Sequence, residues 1–145
     1  MLDSYRDLID ELLATPTTVR DLVAALPPPA VPVTVPGLVA ELRERDRAVY
    51  QRLQTMLHQP NAHLRALAAP ATAMPAPAAE LPALLDALDT ARGDLVSLLM
   101  NLTLKDWERT ATHETEGEIT VADEVERHVE FDEDHLARIA RAIEA

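Results

Sequence analysis

Between Ile119 and Ile143 the chain reads ITVADEVERHVEFDEDHLARIARAI, and its apolar residues recur at the spacing of an α-helix. At about 100° per residue, Val121, Val125, Val129, Leu136, Ile139 and Ile143 fall within an arc of roughly 80°. A strip that narrow has to be covered by other elements, because one helix cannot bury its own face. The same strip carries Asp132 near its middle and His128 and His135 at its side. Polar groups facing a core need hydrogen-bonding partners or a metal, since burial alone costs roughly 2–7 kcal/mol for each group. Glu124, Glu126, Arg127, Glu130 and Glu133 point elsewhere and read as a solvated face.

Three further blocks carry strips of the same kind. The first spans about Asp3 to Leu26, with Leu2, Tyr5, Leu8, Ile9, Leu12 and Leu13 and then Val19, Leu22, Val23 and Leu26. Thr15-Pro16 interrupts it, and Thr15 is placed to cap a restarted helix with Pro16 in its first position. Pro27-Pro28-Pro29 ends the block. The second helix begins near Thr34 as N-cap, holds Pro36 in its first turn and runs to about His58. Leu38, Leu42, Val49, Leu53 and Met56 form its strip, and Pro60-Asn61 closes it. Residues Ala68 to Ala79, AAPATAMPAPAA, read as a connection long enough to be a crossover. The third helix spans about Glu80 to Leu102 and is rich in leucine. Gly93 lies inside it, costs about 1 kcal/mol relative to alanine and permits close helix approach.

Leu104 to Arg109 is predicted as a short helical turn carrying Trp107, and Thr110 to Gly117 as a polar loop. Thr120 then caps the last helix, with Asp123 three residues on in an approximate capping box. The expectation is an all-α fold, an antiparallel four-helix bundle with one long crossover, formed by a single domain over residues 1–145.

Composition narrows function by exclusion. Cysteine is absent, which removes disulfides, thiolate zinc sites and a cysteine nucleophile. The formal net charge of −12 argues against nucleic acid, whose phosphates select a basic face. No apolar run approaches the 18 or so residues of a membrane span, and the N-terminus lacks the pattern of a signal peptide. The expectation is a cytoplasmic protein with no membrane partner. Ser4 and Ser97 have no general base at helical spacing, which dismisses a serine nucleophile. His58 and His63 read as surface residues, and Trp107 as packing at the bundle end.

On the second helix Arg45 falls inside the apolar face and Glu41 on its flank, so two helices each bring charge toward the core. Three arrangements answer that. Imidazole and carboxylate ligands suit one divalent transition metal (zinc, nickel, iron or manganese). Alternatively Arg45 pairs with Asp132 and Glu41 with His135 in a closed ion-pair network. In the third arrangement this end of the bundle is open to water. Spacing leaves all three open.

The segment from Leu98 to Ile139 resembles the C-terminal half of the DinB-like (YfiT-type) superfamily of four-helix bundles. Asp106-Trp107-Glu108-Arg109, His113, Gly117 and Thr120 follow that family's "DW.R...H...G..T" order. Asp132-Glu133-Asp134-His135-Leu136 follows its "HDxxHL" run. Val33-Thr34-Val35 with Leu38-Val39-Ala40 is similar to its second helix, so the likeness extends over nearly the whole chain. The resemblance implies a metal-dependent hydrolase or a thiol-cofactor transferase, acting on a small-molecule or thiol substrate as a homodimer, and a stress-response context.

The family's metal site is usually three histidines. Carried over by position, the second-helix ligand becomes Glu41, the first ligand of the last helix becomes Phe131, and His135 alone is retained. An additional histidine of some members falls on Arg127. A metal here has to recruit Glu41 and His135 together with Asp132 or His128. Arg45 and His113 join the same pocket. The alternative is a non-catalytic bundle that binds a small molecule or a partner and holds no metal, with an ion-pair network in its place.

Overall fold

The computed structural model describes residues 2–27, 30–67 and 74–144, the side chains of residues 2–4 excepted. Four long helices dominate: α1 (Leu2–Ala24), α2 (Thr34–His58), α3 (Leu81–Met100) and, after the short α4 (Leu104–Trp107), α5 (Val121–Glu144). Three short strands complete the fold: β1 (His63–Leu64), β2 (Thr110–His113) and β3 (Gly117–Thr120). No helix among the described residues is long and apolar enough to cross a membrane.

The expected bundle is present, with an arrangement that periodicity could not supply. α1 packs chiefly on α3 and α5, and α2 packs on the same two helices. Consecutive helices α1 and α2 therefore sit across a diagonal. Contacts also set direction. Glu41, Asp46 and Arg52 of α2 meet His135, His128 and Glu124 of α5 in reverse order, so these two helices are antiparallel. The N-terminal halves of α2 and α3 share one apolar cluster and their C-terminal halves another, so that neighbouring pair is parallel. The chain between them must travel the length of the bundle, as the expected long crossover does. Part of that connection (68–73) and two of the three prolines after α1 (28 and 29) lie outside the described residues.

Local signals explain most boundaries. Thr120 and Asp123 form the expected reciprocal cap: Thr120 Oγ1 accepts from Asp123 N at 3.1 Å and Asp123 Oδ2 from Thr120 N at 2.9 Å. Thr103 and Asp106 repeat the device on α4. Trp107 is buried as expected and stacks on Tyr5 with ring centroids 4.6 Å apart.

Several expectations are corrected. Thr15 does not cap a second helix, because α1 runs unbroken through Pro16. Thr34 lies inside α2, whose N-cap is Val33. Gly93 is solvent-exposed, and a Cβ there would meet nothing within 4 Å, so it serves no close approach. The region read as a polar loop is a β-hairpin, with β2 antiparallel to β3 and β1 added parallel to β2. Its turn closes at Gly117, whose φ of +75° suits a residue without a Cβ. Ala62, Leu64, Ala111 and Ile119 bury one face of this sheet against the helices.

The core has two apolar clusters. One gathers Leu12, Val49, Leu53, Met56, Leu95, Leu99, Trp107 and Val125. The other gathers Val19, Val35, Leu42, Leu85, Leu88 and Ile139. Between them, in sequence and in space, lies a layer of polar groups.

Candidate functional site

Each long helix contributes to that layer. Arg92 of α3, only 1% exposed, is its hub. Its Nη1 and Nη2 donate to Asp132 of α5 at 2.7 and 2.8 Å as a two-pronged pair. Its Nε donates to Asp46 of α2 at 3.0 Å, and Nη2 also lies 2.9 Å from Asp46 Oδ1. The remaining Nη1 proton goes to the backbone carbonyl of Leu12 in α1 at 2.7 Å. That carbonyl is free because Pro16, four residues on, has no N–H to give it. A proline inside α1 and an arginine inside the core therefore satisfy one another's defect. Burial pulls the Arg92 pKa down, but Asp132 and then Asp46 outweigh it, and the net shift is upward.

Thr15 and His128 close the layer. Thr15 Oγ1 donates to Asp132 Oδ2 at 2.9 Å, a shorter contact than its 3.3 Å approach to Glu11 O. His128 Nε2 lies 2.6 Å from Asp46 Oδ1. Asp46 is already held by a guanidinium, so the proton is assigned to Nε2 and the imidazole donates.

Further along α5 toward its C-terminus, a second cluster occupies the position where the family resemblance implies a metal. His135, fully buried, contacts Glu41 Oε1 through Nε2 at 2.8 Å. Phe131 stacks on His135 with centroids 4.1 Å apart, and Arg45 lies over the Phe131 ring, its Cζ 4.2 Å from the centroid. Cation–π attraction holds the guanidinium there. Arg138 Nη1 is 4.0 Å from Glu41 Oε1. Two buried atoms of this cluster, Glu41 Oε2 and His135 Nδ1, have no hydrogen-bond partner among the described residues. Asp134 Oδ2 stands 3.7 Å from His135 Nδ1, beyond hydrogen-bond reach.

A third group lies between α2, α5 and the hairpin. Arg52 binds Glu124 through Nε at 3.0 Å and the Arg65 carbonyl through Nη1 at 2.6 Å. A cavity of about 230 Å³ opens beside it, lined among others by Arg45, His113, Arg127 and His128. His113 is buried on β2, where its Nδ1 accepts from the backbone N–H of Thr115 at 3.2 Å. Arg45 has its pKa lowered, first by burial and then by repulsion from Arg52, with Glu124 offsetting a part.

The structure thus sorts the sequence candidates into separate groups. Glu41 and His135 meet, as the network arrangement expects. Asp132 does not pair with Arg45; its guanidinium comes from Arg92. The physical reason is one step of helix rotation, since Asp46 occupies the inward face of α2 and Arg45 turns toward Phe131. His128 belongs with Asp46, not with His135. Glu124, read as solvated, is 4% exposed and neutralised by Arg52. Sequence reasoning passed over Arg92 and Asp46, although both stand at helical spacing within their strips: Leu88-Arg92-Leu95 and Leu42-Asp46-Val49.

The donor set is a poor fit to a divalent metal. Among the described residues no group of three or more His, Asp or Glu side chains is placed to hold one. Asp132 and His128 are committed to Arg92 and Asp46, and of the two candidates that remain, Glu41 and His135, Glu41 has the Arg138 guanidinium 4.0 Å away.

No protein-family model matches the sequence, and no curated protein matches it either. Solved structures do. YfiT from Bacillus subtilis, described as a probable metal-dependent hydrolase with an unusual four-helix bundle topology, superimposes with a TM-score of 0.77 at 19% identity. The match covers 98% of this chain and 87% of YfiT. The chain has the YfiT fold. The four-helix bundle that the DinB-like resemblance implied is therefore present over almost its whole length. At this identity the likeness to YfiT is one of fold.

Proposed function

We propose that this chain is a small-molecule-binding bundle of the YfiT fold in which an ion-pair and aromatic cluster stands where related bundles carry a metal. The observation that supports it is the Phe131 position. A phenyl ring occupies the helical site from which a second imidazole would reach a metal shared with His135, and it carries Arg45 on its face. A fixed cation beside two candidate ligands opposes a second cation. Ligands then enter through the cavity between α2, α5 and the hairpin.

A metal-dependent hydrolase or thiol-cofactor transferase is the second reading. It is favoured by the unpartnered Glu41 Oε2 and His135 Nδ1 and by the description YfiT carries. In that reading Glu41 and His135 are the ligands the chain offers first, and a bound zinc, nickel, iron or manganese ion supplies an activated water. Asp132 or His128 could join only by leaving Arg92 or Asp46.

Metal analysis separates the two. Untagged protein incubated with Zn²⁺ or Ni²⁺ and then desalted is expected to retain less than about a tenth of an equivalent. The Glu41→His/Phe131→His double variant is expected to retain close to one, because it restores three imidazoles. A full equivalent on the unaltered chain overturns the binding-bundle reading in favour of the metal-dependent one.

A further inference from the structure

His128 is the one member of the Arg92 layer that also lines the cavity between α2, α5 and the hairpin. Its two ring nitrogens have different surroundings. Nε2 meets Asp46 Oδ1 at 2.6 Å, and Asp46 is not part of the cavity lining. Nδ1 is buried and has no partner among the described residues. Arg92 holds the Asp46 carboxylate in place through Nε at 3.0 Å and Nη2 at 2.9 Å. A fixed acceptor at Nε2 keeps the single proton of a neutral imidazole on that nitrogen and leaves the Nδ1 lone pair bare.

An acid that fixes the tautomer of an imidazole turns the other ring nitrogen into a proton acceptor. A buried acceptor left without a donor has lost its water and gained nothing in return, so it marks a place where a donor is missing. The neighbours in the cavity are engaged elsewhere. Arg52 binds Glu124 and the Arg65 carbonyl, Arg127 lies 3.2 Å from Glu116, and His113 Nδ1 accepts from Thr115. The missing donor has to come from outside the chain.

We propose that His128, oriented by Asp46, is the proton acceptor for the hydroxyl group of a small neutral ligand bound in this cavity. Three features limit the class. Nδ1 is enclosed, so only a slender donor such as a hydroxyl reaches it. Val49, Ala66 and Leu67 in the lining suit an apolar body. Arg52 and Arg127 are paired with Glu124 and Glu116, which leaves neither of them as a free counter-ion for a charged ligand. A volume of about 230 Å³, below the roughly 300–1,000 Å³ of drug-sized sites, fits a phenol or a short alcohol. The proposal rests on the small-molecule-binding reading above and names the chemistry of the ligand.

The test compares phenol with anisole, whose methyl group removes the donor and keeps the ring. ¹⁵N-labelled protein is titrated with each at about pH 8, where histidine is ordinarily neutral, and the imidazole nitrogens are followed in long-range ¹H–¹⁵N spectra. Before ligand is added, His128 is expected to show a protonated Nε2 and a bare Nδ1. Phenol is expected to shift Nδ1 saturably and to leave Nε2 protonated, with anisole binding at least about tenfold more weakly. His128→Phe keeps a ring at the position and removes the acceptor. It is expected to weaken phenol binding at least about tenfold and to leave anisole unchanged. His58→Gln, at an exposed imidazole, is the control and should change nothing. Should His128→Phe fail to fold, the two probes on the unaltered chain decide. A proton on Nδ1 in the free protein overturns the acceptor role. So does anisole binding as well as phenol, or a folded His128→Phe variant that keeps its phenol affinity. Each of these leaves a pocket that binds small molecules. No saturable shift from either probe up to about 50 mM overturns both readings.

Discussion

The layer around Arg92 draws on all four long helices and the cluster around His135 on two of them, α2 and α5, and they solve the burial of charge in opposite ways. In the Arg92 layer every guanidinium donor has an acceptor, and those acceptors come from three other helices. Around His135 two buried polar atoms go without partners, and part of the stabilisation comes from ring stacking and a cation on an aromatic face. A network whose charges are all paired is costly to disturb, and in it only His128 Nδ1 is left without a partner among the described residues. An incompletely satisfied one is cheaper to alter and retains capacity for an outside group. The contrast assigns the first to specifying the bundle and the second, with the adjoining cavity, to whatever the bundle binds.

The strongest attack on this contrast is Arg92→Met. It strands Asp46 and Asp132 without their cation and reopens the Leu12 carbonyl. A loss of about 3–5 kcal/mol in urea unfolding is expected. Next comes Asp132→Ala, which leaves Arg92 with one carboxylate, at about 3 kcal/mol. A loss under about 0.5 kcal/mol would mean that Asp132 is solvated and the layer is not closed. Replacing the hub as a set, with Arg92→Met, Asp46→Leu and Asp132→Leu together, should cost far less than Arg92→Met alone, since no charge is then left unpaired. A triple variant as unstable as the single one would show that the cost is packing and not stranded charge.

The mildest change is Glu41→Gln, which keeps the shape and one hydrogen bond to His135. About 1 kcal/mol or less is expected in the same unfolding measurement. If it instead rivals Asp132→Ala, the two clusters hold buried charge alike.

Much of this was legible in the residues. The apolar strips define four long helices because each needs a continuous covered face, and α5 begins at Thr120 because the capping box leaves little choice. Asp132, His128 and His135 stand out as polar residues on an apolar strip, and all three are buried. What escaped has physical causes. Pro16 reads as a break, yet the carbonyl it frees, that of Leu12, is met by Arg92, 80 positions on in α3, which no local rule can see. Arg45 and Asp46 differ by one step of about 100°, a difference that an ideal wheel does not resolve, and it is Asp46 that turns inward. Arg92 is masked in the sequence by the leucines around it, which define the apolar strip without it. The hairpin was hidden by strands of four residues each with little β-branched character in β2 beyond its threonines. The order of helices around the bundle depends on the crossover, and sequence spacing does not encode it.

Pro16 and Arg92 also have a consequence for alignment and descent. Only one carbonyl in α1 is freed by Pro16, and only one guanidinium reaches it. Sliding α1 along α3 by a single turn would bring that guanidinium against a carbonyl already occupied by its own helix. The two residues thus act as a key and a notch that index the helices, and chains that have lost one should tend to have lost the other.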